Sequence, residues 1–406
     1  MKPIAWFAFC AFAGSALPTV HAQLSAPPPR AALSLSIAAE SAWQRAVQAT
    51  EADGRLSRAK ADRAVAESPW AAPPALELSH RDERLTDSAG RRESEVGIAW
   101  PMWLPGQRVA RGRTADAELG AAEANQGVVK LRIAGDVREM AWHVSARRAE
   151  LALANTQVQT LGALAKDVDR RVAAGDLARA DALAARSELL AATAASMEAR
   201  QRLYAAETRW RVLTGLDPLA DPQEATHDVG ATQHPELALA ALNLERARSR
   251  LELVRISRRE PPEIMLRFRE ETGGGAGGQH SVGVAIRVPF GTADRNVPRQ
   301  AAALSELDIA QAEERQLRAR LDAEAQTARF AIQASEQQLA AEQSRLALLR
   351  ERAQLIDRSF RAGETALPEL LRALGAAAHA DASAARARAA LGHARAQLRQ
   401  TLGILP

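Results

Sequence analysis

Add 188 to a position in the first half of this chain and the second half answers with a matching residue. Pro73 and Pro74 map to Pro261 and Pro262, Pro101 to Pro289, Gly175 to Gly363, Gly215 to Gly403 and Trp142 to Phe330. Arg111 and Arg299, Arg170 and Arg358, Leu78 and Leu266, Leu183 and Leu371 fall in the same register. The offset holds from residue 73 to residue 403. Leucine- and alanine-rich helices match one another by composition, which accounts for the leucines. Composition does not account for prolines, glycines and an aromatic pair at one spacing. The chain therefore reads as two copies of one unit.

Both copies share a grammar. An alanine-rich helical stretch (33–68 and 235–259) ends at the double proline, which cannot continue a helix. Two short alternating segments follow, at about 75–84 and 92–100, then at about 263–270 and 280–289. Their period of two predicts strands with one apolar face. Arg81–Arg92 and the glycine-rich Glu270–Gln279 read as loops between them. Long helices are expected next, at about 105–171 and 298–360. Val144, Leu151, Val158, Ala165 and Val172 form a heptad, as do Ile332, Leu339, Leu346, Ala353 and Phe360. That period predicts helices coiled on helices. Glycine stops both rods, at Val172-Ala173-Ala174-Gly175-Asp176 and Phe360-Arg361-Ala362-Gly363-Glu364. Return helices follow at about 177–214 and 366–402. The first unit spans 33–216 and the second 235–406, joined by a proline-bearing connector at 217–234.

Composition supports a mainly helical chain with a small β part. Aromatics are only 4%, with one Tyr, whereas helix-forming residues dominate. The net charge of +4 comes from 53 basic and 49 acidic residues interleaved along the chain. Nucleic-acid binders gather their charge on one face, so this pattern reads as solvated helix surfaces and no nucleic-acid partner is expected. Residues 1–22 read as a secretory signal peptide, with Lys2, an apolar run from Ile4 to Ala13 and Val20-His21-Ala22 at the cleavage site. Residues 23–32 form a linker. Cys10 lies inside the apolar run and too near Met1 for a lipidated N-terminus, so lipidation is disfavoured. Its removal leaves no thiol for a disulfide, metal site or nucleophile. The eight histidines form no HExxH motif, and Gly273–Gly278 lacks the Lys-Ser/Thr of a phosphate loop. No catalysis, metal site or cofactor is expected.

No run of 18 apolar residues follows the signal peptide, so any membrane insertion must use strands. Four strands cannot close a barrel alone; the smallest membrane barrels have about eight. Three copies would supply twelve and enclose a lumen.

On these features the sequence resembles the TolC family of outer-membrane efflux channels, from about 33 to 405. The resemblance rests on the duplicated pattern, with the Pro101 and Pro289 strand ends and the two Gly-acid turns as its most specific points. It implies a homotrimer: a twelve-stranded β-barrel in outer-membrane lipid on a long α-helical barrel projecting into the periplasm. It also implies a periplasmic adaptor protein and an inner-membrane transporter as partners, with this chain as passive exit duct. The adaptor-facing tip would comprise Val172, Gly175, Asp176, Leu177, Phe360, Gly363, Glu364 and Thr365. The same residues can serve simply to end helices. Where some members carry two Asp residues narrowing the tip, this chain has Glu369 and Arg372 as the candidate gate positions: Glu369 keeps a carboxylate, and Arg372 departs from that pattern. Metal cations and small toxic compounds both fit as cargo. A soluble periplasmic coiled-coil adaptor or scaffold is the alternative, which a lipid-facing apolar belt would argue against.

Overall fold

The structure, a computed structural model, describes residues 33–83, 90–224, 234–273, 276–290 and 293–406. The expected signal peptide and linker lie outside the described residues, as do parts of the connector and of both strand-joining loops. The elements run α1 (Leu35–Arg45), α2 (Val47–Ala66), β1 (Ala75–Asp82), β2 (Arg92–Pro101), α3 (Gln107–Ala174) and α4 (Arg179–Thr214). Then come α5 (Pro235–Ile256), β3 (Glu263–Gly273), β4 (Ala276–Arg287), α6 (Ala293–Arg361) and α7 (Leu367–Thr401). The fold is mainly helical with one small sheet.

Element lengths explain how distant strands meet. α3 has 68 residues and α6 has 69, each about 100 Å at 1.5 Å per residue. The 36 residues of α4 bring the chain back only part-way, and the 22 of α5 complete the return. β3 thereby arrives beside β2, and the sheet runs β1-β2-β3-β4 with every neighbour antiparallel.

The middle of the rod is fastened by a buried ionic network. Arg138 of α3, whose side chain is 3% exposed, donates to both carboxylate oxygens of Glu224 at 2.6 and 2.8 Å. It also donates to Gln400 Oε1 at 2.6 Å and to the Ile404 carbonyl at 2.8 Å. One side chain thus holds the chain leaving α4 and the end of α7 against α3. Charge-assisted bonds of this kind offset the desolvation of the pair. Beside it, Trp210, Val137, Val144 and Ala38 form the largest apolar cluster.

Three local expectations need correction. The first helical stretch, expected as one, breaks at Ala46, which is extended at φ −74°, ψ 132°. No Gly or Pro marks the break. Leu35, Ala38 and Ala42 of α1 are drawn into the cluster with Trp210, and tertiary packing overrides helix propensity. α6 begins at Ala293 rather than at 298, with Pro298 inside its early turns. The glycine-rich Glu270–Gln279 is largely strand: Glu270 pairs with His280 and Glu271 with Gln279, with an irregularity before Gly273. Gly273 takes φ 112°, which its lack of a side chain permits. Only residues 274–275 of that stretch fall outside the described residues.

Candidate functional site: an apolar sheet face and a helical tip

The pleat sorts the sheet into two faces. Leu76 and Leu78 pair with Ile98 and Val96. Those pair with Leu266 and Phe268, which pair in turn with Val284 and Val282. Trp100, Ile264 and Ile286 extend the same row. Register alternates faces with period two, so all these side chains share one side. Apart from half-buried Trp100, no described residue covers them: exposure runs from 37% at Ile264 to 71% at Leu78. A continuous uncovered apolar face of this kind marks an interaction surface.

The opposite face is charged. Arg267 lies 3.3 Å from Glu95 and 3.8 Å from Glu77, and Arg269 pairs with Glu93. Each pair is half-exposed and worth little to stability. Together they make a polar cross-strand ladder behind an apolar front. β1 and β4 each pair with one neighbour only, so two backbone edges are left open among the described residues.

At the far end of the rods the two helix–turn–helix tips are packed together. Gly175 and Gly363 take φ 87° and 80°, the left-handed region, and nothing lies within 4 Å of where a Cβ would stand. The Asp176 amide donates to the Arg171 carbonyl at 2.9 Å, and the Glu364 amide to the Ser359 carbonyl at 3.0 Å. These bonds satisfy the orphan carbonyls of each rod. Phe360, Leu367 and Leu370 are buried with Val168, Ala182 and Ala185, and Val172 and Leu177 pack on that cluster. The Arg171 guanidinium stands 5.1 Å over the Phe360 ring. Thr365 Oγ1 lies 2.6 Å from Ser359 Oγ. The eight expected tip residues therefore converge: Phe360, Val172 and Leu177 tie the tips together, while Gly175, Asp176, Gly363 and Glu364 are exposed.

Glu369 and Arg372 do meet, at 3.1 Å. The sequence reading missed Arg352 of α6, which holds the other carboxylate oxygen at 2.9 Å. Glu369 sits between two guanidinium groups, so this cluster is net cationic rather than an acidic pair. Among the described residues no group of His, Cys, Asp and Glu could hold a metal ion, and no helix is long and apolar enough to cross a membrane.

A second missed feature lies along α4. Leu183, Leu190, Met197 and Tyr204 are seven apart and 57–70% exposed. They lie one residue beyond the row Ala182, Leu189, Ser196, Leu203 that faces α3, and so point away from it. Leu348 and Leu355 of α6 are exposed in the same way. Their spacing was visible in the sequence; that no described residue covers them was not.

Similarity to solved structures agrees with this architecture. Over 91% of this chain and 96% of the other, it superposes with TM-score 0.73 on the outer membrane protein VceC of Vibrio cholerae, at 15% identity. The Campylobacter jejuni outer membrane channel CmeC gives 0.73 over 91% and 85%, at 12% identity. The Neisseria gonorrhoeae outer membrane channel MtrE gives 0.73 over 91% and 89%, at 15% identity. At such identities the likeness establishes a shared fold. No match was found among curated protein sequences. The sequence pattern of one family covers residues 38–216 and 229–404, nearly all of the described chain, and on that ground the chain belongs to the outer membrane efflux protein family.

Proposed function

We propose that three copies of this chain close into a twelve-stranded barrel in the outer membrane, continued by a helical cylinder into the periplasm. The assembly acts as the passive exit duct of a tripartite efflux system. The observation that carries the reading is the sheet: apolar and uncovered on one face, charged on the other, with open edges at β1 and β4. An open edge in lipid costs several kcal/mol per unsatisfied backbone group, so β4 of one copy must meet β1 of the next. An even number of antiparallel strands makes that junction antiparallel as well. The uncovered rows on α4 and α6 offer the matching helical contact between copies. α5, β3 and α7 begin 188 residues after α2, β1 and α4 respectively, which supports a duplicated unit.

An adaptor protein docks on the exposed tip residues Gly175, Asp176, Gly363 and Glu364, and an inner-membrane transporter supplies the energy. Glu369 and Arg372, with Arg352, form the candidate periplasmic constriction. Metal cations or small toxic compounds are the cargo classes. A soluble adaptor would have no use for the uncovered apolar sheet. The test is fractionation: a trimer whose gel mobility changes on heating, found in the outer-membrane fraction, is expected. A detergent-stable monomer absent from that fraction would overturn the proposal.

A further inference from the structure

A cleft of about 620 Å³ lies where the sheet meets the helices, lined by Trp70, Pro73, Pro74, Trp103, Arg111 and Arg299 among others. The efflux reading makes no use of it. Trp70 leans against Trp100, their rings 6.4 Å apart, and Trp100 ends the apolar row of β2. The cleft therefore opens at the helix-side limit of the apolar face.

Its walls are set in advance. Trp103 Nε1 donates to the Ser68 carbonyl at 3.0 Å. The Gln107 side chain accepts from the Leu104 amide and donates to Ser257 Oγ, both at 3.1 Å. Yet Arg111 and Arg299 make no ion pair with any described residue, and no acid lines the cleft. Two unneutralised guanidinium groups beside indoles match an anion that carries an apolar body. Guanidinium binds phosphate through paired N–H bonds, and tryptophan settles at headgroup depth. The volume falls in the range of small-ligand sites.

We propose that this cleft seats the phosphate headgroup of a phospholipid, with its acyl chains lying along the apolar sheet face. A bound lipid there fixes the depth of the sheet in the bilayer. The inference rests on the outer-membrane reading. Free phosphate would leave the indole and proline walls without a partner, so a lipid is the occupant.

The experiment titrates the delipidated full-length oligomer in detergent with phosphatidylglycerol and counts retained lipids by native mass spectrometry. Arg111→Gln with Arg299→Gln should weaken retention about tenfold or more, the loss expected for charge-assisted bonds. Arg295→Gln, an exposed exchange on α6 outside the cleft, should match wild type. If the double variant does not fold, each single exchange is read in its place. Equal retention by the variants overturns the inference, as does displacement of the lipid by inorganic phosphate at similar concentration. Wild type missing from the outer-membrane fraction would instead refute the pore; wild type present there with equal retention refutes the lipid site alone.

Discussion

Leu190→Glu tests whether the uncovered row on α4 is the seam between copies. Leu190 is 70% exposed within one chain. Burying that much of a leucine is worth about 1–2 kcal/mol per interface. A carboxylate stranded in the same place adds a desolvation cost of about 1–3 kcal/mol. Each interface then loses about 2–5 kcal/mol, and a closed ring of three carries the loss three times. That is comparable to the whole stability of an ordinary domain. The assay is trimer yield on semi-native gels and mass by light scattering in detergent, with circular dichroism to verify helix content. Leu190→Met should preserve the trimer. Ala195→Glu, exposed on another side of α4, should do the same. Unchanged trimer in Leu190→Glu, or equal loss in Ala195→Glu, would refute the reasoning.

Other perturbations read other parts of the molecule. Gly175→Asp and Gly363→Asp tolerate the left-handed backbone better than most exchanges and place new charge at an open tip, so export should fail while trimer yield holds; loss of both together would make these residues structural only. Gly392→Ala would put a Cβ 2.0 Å from the Trp142 ring and cost about 1–3 kcal/mol, and a smaller side chain at 142 should restore the lost thermal stability; no rescue would refute the clash. Burial holds His143 and His234 below the ordinary imidazole range, aided by Arg147 and Arg209 at the first and Arg320 at the second, while Glu139, Glu236 and Glu324 oppose it. His234 Nδ1 also accepts the Glu236 amide at 3.1 Å, capping α5. With folded values below the unfolded value of about 6.5, the unfolded chain takes up protons first. Thermal stability should be full above about pH 6.5 and fall as pH drops below it, and His143→Gln with His234→Asn should flatten that fall; a rise on acidification would contradict it. Asp136, whose carboxyl burial and Glu139 push up, acts oppositely at lower pH.

What the sequence determined by itself was the periodic pattern and most of the local stops. The alternation in Leu76–His80 and Val282–Arg287 made strands, and Gly175 and Gly363 stopped the rods in left-handed turns, while α2 and α5 end at Ala66 and Ile256, ahead of the double prolines. These outcomes depend on neighbours within a few residues, where sterics and hydrogen bonding leave few choices. Where residues far apart in the chain compete, the tertiary structure decided. The Ala46 break answers to Trp210 on α4, and Glu369 is claimed by Arg352 on the adjacent rod as well as by its own helix neighbour. Arg138 finds Glu224 and Ile404 only because two returning segments converge on it. The sheet faces were written in the strands, but that no described residue covers the apolar one is a property of packing. Burial is a sum over the whole fold, and no local pattern contains it.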